Sequence, residues 1–276
     1  MVRPYAVKGR KHKKRKMERR EEAVEEEVVR GGEEEAEEVA AENEKKVDAV
    51  LDELPGIPSV APVEKSKQPK VIFILEKASL EIGKVGKNFQ LLNSDDHGNF
   101  LRKQNLNPAD YRPDIVHHAL LAILDSPLTK AGRLQALYVR TEKGVLFEVK
   151  PNVRMPRTIK RFSGLMLQLL QKLSITTTGS HDKLLNVIKN PVTRYLPVNS
   201  RIIGLSYSSE KLVQLKDYVA AASDDATLVF VVGAMAHGKI SNENTDDYIS
   251  VSGYPLSAAC CINRICTALE QKWKIL

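Results

Sequence analysis

An α/β fold built on a mostly parallel sheet is what this sequence predicts, and three observations lead there. Short, β-branched, turn-bounded runs such as VIFIL (71–75), RIIGLSY (201–207) and TLVFVV (227–232) read as buried strands. Between such runs lie segments whose apolar residues recur at helical spacing, among them PDIVHHALLAILDSP (113–127) and TIKRFSGLMLQLLQKL (158–173). The two kinds alternate through the second half of the chain, which is the pattern of helical crossovers between parallel strands.

Residues 1–68 stand apart from that pattern. GRKHKKRKMERR is a basic block, EEAVEEEVVRGGEEEAEEVAAENEKK an acidic low-complexity block, and LPGIPSVAPVEKSKQP a proline-rich linker. Too few apolar residues fall here to form a core-facing stripe, so a disordered charged extension over 1–68 is expected ahead of a folded domain over 69–276. The basic block reads as a nuclear or nucleolar address, an RNA tether or a solvated tail.

Within the folded part, order starts at Lys70 with the VIFIL strand, and a loop-rich stretch follows. In the helix over 113–127, Ile115, Val116, Ala119, Leu120, Ile123 and Leu124 keep helical spacing, with Pro113 near the start and Pro127 past the end. LQALYVRT and VLFEVKP (134–151) make a hairpin across Glu142-Lys143-Gly144. After the 158–173 helix come a strand at 184–189, the strand at 201–207, a helix from Glu210 to Ala222 and the strand at 227–232. The polar run NENTDD (242–247) reads as loop, and LSAACCINRICTALEQKW (256–273) closes the chain as a helix.

With 276 residues, 42% of them hydrophobic, the chain can bury a sizeable core in one or two domains. No apolar run approaches the ~18 residues of a membrane span, and the N-terminus lacks the apolar centre of a signal peptide. A membrane or secreted protein is therefore not expected. Cys260, Cys261 and Cys266 have neither C-x-x-C nor zinc-ligand spacing, so no metal is expected and they read as reduced core cysteines. The net charge of +7 is unevenly spread: residues 54–276 carry 29 basic against 19 acidic side chains. A basic folded domain points to a polyanionic partner, most often nucleic acid.

The run VVGAMAHGK (231–239) ends a strand in a glycine-bracketed turn. It lacks the G-x-G-x-x-G of dinucleotide sites, and Lys239 is followed by Ile240 where a P-loop needs Ser or Thr. The polar run that follows keeps the strand from feeding straight into a helix, so phosphate cradling at a helix N-terminus is poorly supported. Two further segments resemble it in kind: Gly204-Leu205-Ser206 at another strand end, and SGYPLSAA (252–259), where Pro255 and small residues precede the last helix. Ligands of open α/β sheets bind outside the carboxyl ends of strands, so three such loops converging there can hold an adenosine through backbone groups and apolar walls.

VVGAMAHGK and SVSGYPLSAA, taken with YRPDIVH, LAILDSPLTKAG, PNVRMPRTIKRFSGLMLQLLQKLS and LLNVIKNPV, resemble the eukaryotic ribosome-biogenesis pseudouridine-N1-methyltransferases of small-subunit ribosomal RNA, a family of the SPOUT class. The resemblance spans residues 70–276. It implies a SPOUT-type sheet with a C-terminal trefoil knot, a homodimer, and S-adenosyl-L-methionine as cofactor. Carried over by position, it implies cofactor contacts at Leu205, at the turn from Gly233 to Gly238, and at Val251, Ser252, Gly253, Tyr254, Pro255 and Leu256. It implies RNA contacts at Arg112, Arg154, Arg157 and Arg161. The partners implied are the small-subunit rRNA precursor and its assembly proteins, and the compartment is the nucleolus or nucleus.

Arginine suits such contacts because its planar fork donates to phosphate oxygens in pairs. Arg157 and Arg161, four apart, are expected on one helix face at ~6 Å, with Arg154 extending the line. Asp114 has three readings: a favourable charge at a helix start, a carboxylate that orients Arg112, or a general base for pseudouridine N1. His117 and His118 follow on the same helix, and His237 reads as a hydrogen bonder that shapes its loop. Two functions stay open at this point: a methyltransferase, or an RNA-binding assembly factor whose work is structural.

Overall fold

The structure, a computed structural model, describes residues 68–177 and 182–275. The charged blocks and the proline-rich linker, up to residue 67, lie outside the described residues.

The sheet is organised around β1 (Val71–Ala78), whose first five residues are almost wholly buried. A strand covered on both faces has no solvent side to alternate with, which is why VIFIL is an unbroken apolar run. Phe73 on one face stacks on Phe230 at 6.0 Å, while Ile72 and Ile74 on the other join Tyr138, Val229, Val231 and Ile240. Parallel neighbours flank β1: β4 (Leu134–Thr141) on one side and β9 (Thr227–Gly233) on the other. Beyond β9 come β8 (Ser200–Leu205) and the edge strand β10 (Asp247–Ile249), both still parallel. Beyond β4 the ladders turn antiparallel through β5 (Leu146–Val149), β7 (Lys183–Ile188) and β6 (Ser174–Thr176). The result is the expected α/β fold with a mostly parallel, mixed sheet.

The helical layer is led by α2 (Pro113–Leu124), which packs against α4 (Ile159–Lys172) and the closing helix α6 (Ala258–Lys272). The short α3 (Pro127–Lys130) is tied to α6 by Glu270, a nearly fully buried carboxylate that accepts from the Leu128 amide at 3.1 Å. The small α5 (Leu215–Ala220) also packs on α6. Among the described residues, no helix is long and apolar enough to cross a membrane.

Four sequence expectations need correction. The loop-rich stretch after β1 holds a hairpin, β2 (Ile82–Val85) with β3 (Asn88–Leu91), and the helix α1 (Ser94–Lys103), packed over Leu92, Leu101 and Tyr111. Its short strands and the charged face of α1 hide the apolar period. The helix expected from Glu210 starts only at Leu215, because the backbone at 211–213 is taken up by pairing with Ser250. The end of the polar run NENTDD enters β10, where the ladder and not hydrophobicity sets the strand. Cys261 and Cys266 are buried, but Cys260 is exposed on α6 and is no core residue.

The segment around β10 is bonded on both sides. On one side it pairs with β8; on the other, the Ser250 amide donates to the Lys211 carbonyl (2.8 Å) and the Val213 amide to the Ser250 carbonyl (2.9 Å). The chain from 206 to 213 therefore runs from one side of β10 to the other. Close approach within this arrangement needs Gly204, where a Cβ would lie 2.8 Å from the Tyr248 ring and 3.0 Å from Thr245 Cγ2. Gly204→Ala is expected to destabilise the fold by about 1–3 kcal/mol, the usual cost of overpacking. Urea unfolding at neutral pH checks this; an unchanged midpoint would mean that β8 and β10 do not meet so closely.

Candidate active site

Parallel strands put their carboxyl ends on one edge, and outside the ends of β8, β9 and β10 lies a cavity of about 430 Å³. The volume falls in the range of small-molecule sites, about 300–1,000 Å³. Leu205, Gly233 and Gly238 border it, as do Val251, Ser252, Tyr254, Pro255 and Leu256. Gly253 sits in the same turn but is not part of the lining. Sequence reasoning did not reach Tyr207, Ser208 and Ile115 of α2, which also face the space beside Ser206 and Met235 of the expected loops. Ile115 has a helical period indistinguishable from that of a core residue, so only the fold reveals it.

The lining is of one chemical kind. Leu205, Val232, Met235, Ile240 and Leu256 supply apolar walls, and several serines and turn backbone supply polar atoms. Lys239 is the one charged residue among the described residues that line it. Such a surface suits a nucleoside with apolar and hydrogen-bonding faces and offers no cluster of cations for phosphates. Gly238 has φ +102°, a conformation that favours glycine. At Gly233 a Cβ would lie 2.8 Å from Met235 Sδ, so any side chain there pushes the thioether that forms the cavity wall. At the start of α6, Ser257 Oγ accepts from the Cys260 amide, and the first turn faces the cavity with Cys261. Burial pushes the Cys261 thiol up to about 12, so it packs as a neutral group.

The turn from Met235 to Gly238 is also a partition. On its other side lies a second cleft of about 420 Å³ with Ser79, Asp110, Tyr111 and His237. His237 thus faces away from the first cavity, and the hydrogen bond expected of it is not among those made by the described residues. Ser79 closes this side: its hydroxyl donates to the Asp110 carbonyl (2.6 Å) and accepts from the Arg112 amide (3.0 Å).

Arg112 and Asp114 meet as a two-pronged pair, Nε to Oδ1 at 2.9 Å and an Nη to Oδ2 at 2.7 Å. The guanidinium holds the Asp114 carboxyl below the usual carboxylate range. That makes Asp114 a weak proton acceptor and a good holder of Arg112. Arg154, Arg157 and Arg161 are all exposed on the segment leading into α4. Only Arg161 is helical. Arg157 lies in a bend ahead of Thr158, the residue that precedes α4, and donates to Asp125 at 2.9 Å, so the shared helix face expected of Arg157 and Arg161 is not formed.

What docks this segment beside Arg112 is His117. It is buried on α2, donates from Nε2 to the Pro156 carbonyl at 2.6 Å, and stacks on Phe162 of α4 at 4.6 Å. Since a carbonyl can only accept, Nε2 must carry the proton. Burial lowers the pKa of His117, favouring the neutral ring. His118, stacked behind it at 5.8 Å, is exposed.

The model of the EMG1/NEP1 methyltransferase family matches residues 73–270, most of the chain and all three cavity loops. The chain belongs to that family. Among its relatives, the ribosomal RNA small subunit methyltransferase NEP1 of Mus musculus is 48% identical over 207 residues, covering 75% of this chain and 83% of that protein. The NEP1 of Drosophila melanogaster is 44% identical over 214 residues, covering 76% and 84%. Among solved structures, Archaeoglobus fulgidus Nep1 bound to S-adenosylhomocysteine superposes with a TM-score of 0.61 at 21% identity, covering 74% of this chain and 98% of that one. At that identity the likeness speaks for the fold.

The Arg112–Asp114 pair carries a pH signature. A carboxyl whose folded pKa is depressed contributes stability that is present above its unfolded value and is lost as pH falls through the folded one. Asp114→Asn is therefore expected to be less stable than the parent at pH 7 and to converge with it in acid, below the ordinary carboxylate range of about 3.9. Denaturant midpoints of both proteins across that range test it; a gap that persists in acid would assign the loss to something other than the ion pair.

Proposed function

We propose that this protein uses S-adenosyl-L-methionine to methylate N1 of a pseudouridine in small-subunit ribosomal RNA during ribosome biogenesis. One observation carries the reading: three strand-end loops far apart in sequence converge on a single cavity in a chain of the EMG1/NEP1 family. The apolar walls, serine hydroxyls and turn backbone fit a nucleoside that carries no phosphate. Leu205, the Gly233–Gly238 turn and the 251–256 turn are the residues that would hold it. When bound, the cofactor supplies an activated methyl group.

The protein's own work is then placement and exclusion. Arg112, Arg154, Arg157 and Arg161 take the RNA phosphates, with Arg112 aimed by Asp114 and the other three carried by the segment that His117 docks. The target base must leave its RNA stack to reach the partition turn between the two clefts. Only pseudouridine qualifies, because uridine N1 is its glycosidic nitrogen and bears no proton. Asp114 is a positioning group here, since the ion pair that lowers its pKa also weakens it as a base.

The same reading extends to form and place. A trefoil knot is supported by the chain from 206 to 213 passing from one side of β10 to the other. A homodimer is supported by Tyr207 and Tyr254, which border the cavity yet are 60% and 79% exposed, a surface that a second copy can cover. Residues 69–276 form the methyltransferase domain and 1–68 a charged extension. The basic block supports work in the nucleolus or nucleus, and the naming of the relatives as small-subunit ribosomal RNA methyltransferases supports that RNA as the partner.

The direct test is mass spectrometry of small-subunit RNA incubated with the protein and methyl-labelled cofactor. Label is expected on pseudouridine and absent when uridine replaces it; no label on any RNA would overturn the reading. Gly233→Val is expected to lose cofactor affinity by displacing Met235 into the cavity, and calorimetry showing parental affinity in a folded variant would remove that loop from the site. Arg161→Ala is expected to weaken RNA binding and lower its salt slope by up to roughly one counterion, with cofactor affinity unchanged. An identical salt slope would make that arginine part of a solvated face.

A further inference from the structure

The polar run that closes in β10 ends in Asp247, which lies outside the cavity yet gathers groups from three other elements. Lys211 Nζ donates to both of its oxygens at 2.7 Å, the Tyr218 hydroxyl of α5 donates at 2.7 Å, and an Arg201 Nη of β8 at 3.3 Å. Asp247 is 12% exposed, whereas Lys211 is 54% exposed and sits on the chain that crosses β10. Both cations also lie over the Tyr218 ring, Arg201 at 5.3 Å and Lys211 at 5.7 Å. A carboxylate shielded from water and fully paired makes each of these bonds stronger than at a surface.

Lys211 ends the part of the loop that forms one cavity wall. Ser206, Tyr207 and Ser208 line the cavity, and the loop is latched to β10 by the Ser206 amide on the Ile249 carbonyl (3.0 Å) and the Ser209 hydroxyl on the Tyr248 carbonyl (2.8 Å). Those latches fix the loop along β10. The ion pair fixes its far end by drawing Lys211 back toward the start of the strand. Without it, the far end of the 206–208 wall keeps only neutral bonds, the Ser209 hydroxyl on the Tyr248 carbonyl and the pair of amide bonds between 211–213 and Ser250.

We infer that Asp247 is a positioning residue for the cofactor site: through Lys211 it holds the 206–208 wall at the distance a bound nucleoside requires. This rests on the assignment of the cavity to S-adenosylmethionine. Asp247 does not line the cavity and lies on a different element from the arginines, so its removal is felt through the wall as a change in cofactor affinity and not in RNA affinity.

The test uses the full chain, S-adenosylhomocysteine as the calorimetric probe, and three variants: Asp247→Asn, Lys211→Met and Lys211→Arg. The first two are expected to bind the probe about tenfold more weakly, the equivalent of one charged hydrogen bond lost. RNA affinity should stay at the parental value, Lys211→Arg should keep most of the affinity, and the double variant Asp247→Asn/Lys211→Met should lose little more than either alone. Parental probe affinity in Lys211→Met, whose exposed side chain puts folding at little risk, overturns the inference. So does a parallel fall of probe affinity, RNA affinity and thermal midpoint, which would make the cluster a general stabiliser. If the parent protein itself fails to bind the probe, it is the cavity assignment that falls, and this inference falls with it.

Discussion

The hydrogen bonding of β10 on both of its edges is the constraint on which the rest of this structure depends. A strand of three residues has little apolar surface and little propensity of its own. It is a strand because β8 pairs with one side of it and the returning chain at 211–213 with the other. That single circumstance places the 206–208 wall, orients the turn after Ser250 and delivers the chain to the start of α6, so three of the cavity's borders follow from one ladder.

Charge is divided between two surfaces with little exchange. The cavity is bordered by apolar and hydroxyl groups with Lys239 as its lone charge among the described residues, while the arginines collect on the α2 and α4 starts. A buried neutral histidine joins the two halves of the arginine surface without adding to its charge. Under the proposed function, this separation would let the RNA dock without competing for the cavity and would confine salt sensitivity to RNA binding.

How much of this could be read beforehand depended on the kind of signal each residue leaves. β1, β9, α2 and α4 were plain because burial imposes a period on their sequences. Gly233, Gly238 and the 251–256 turn were plain as glycine and proline punctuation at strand ends. β10 was unreadable, because its pairing is set by backbone three-dimensionally distant in sequence and its residues are polar at one end. The late start of α5 has the same origin. Tyr207, Ser208 and Ile115 leave no such mark as cavity residues, since nothing local separates a lining loop residue from any other, or a lining isoleucine from a core one. The partnership of Arg157 with Asp125 bridges 32 positions, and spacing on a helix was the wrong guide to it.

The partition turn has a consequence for selectivity. Met235, Ala236 and Gly238 are shared by two adjoining clefts, so matter added on one side of the turn is space subtracted from the other. Enlarging the first cavity by moving this turn crowds the neighbouring cleft, and widening that cleft through the same turn narrows the cavity. A change at Met235 or Ala236 therefore reshapes both clefts at once, whereas a change at Leu205 or Leu256 reshapes the first cavity alone and one at Leu106 or Tyr111 the second alone.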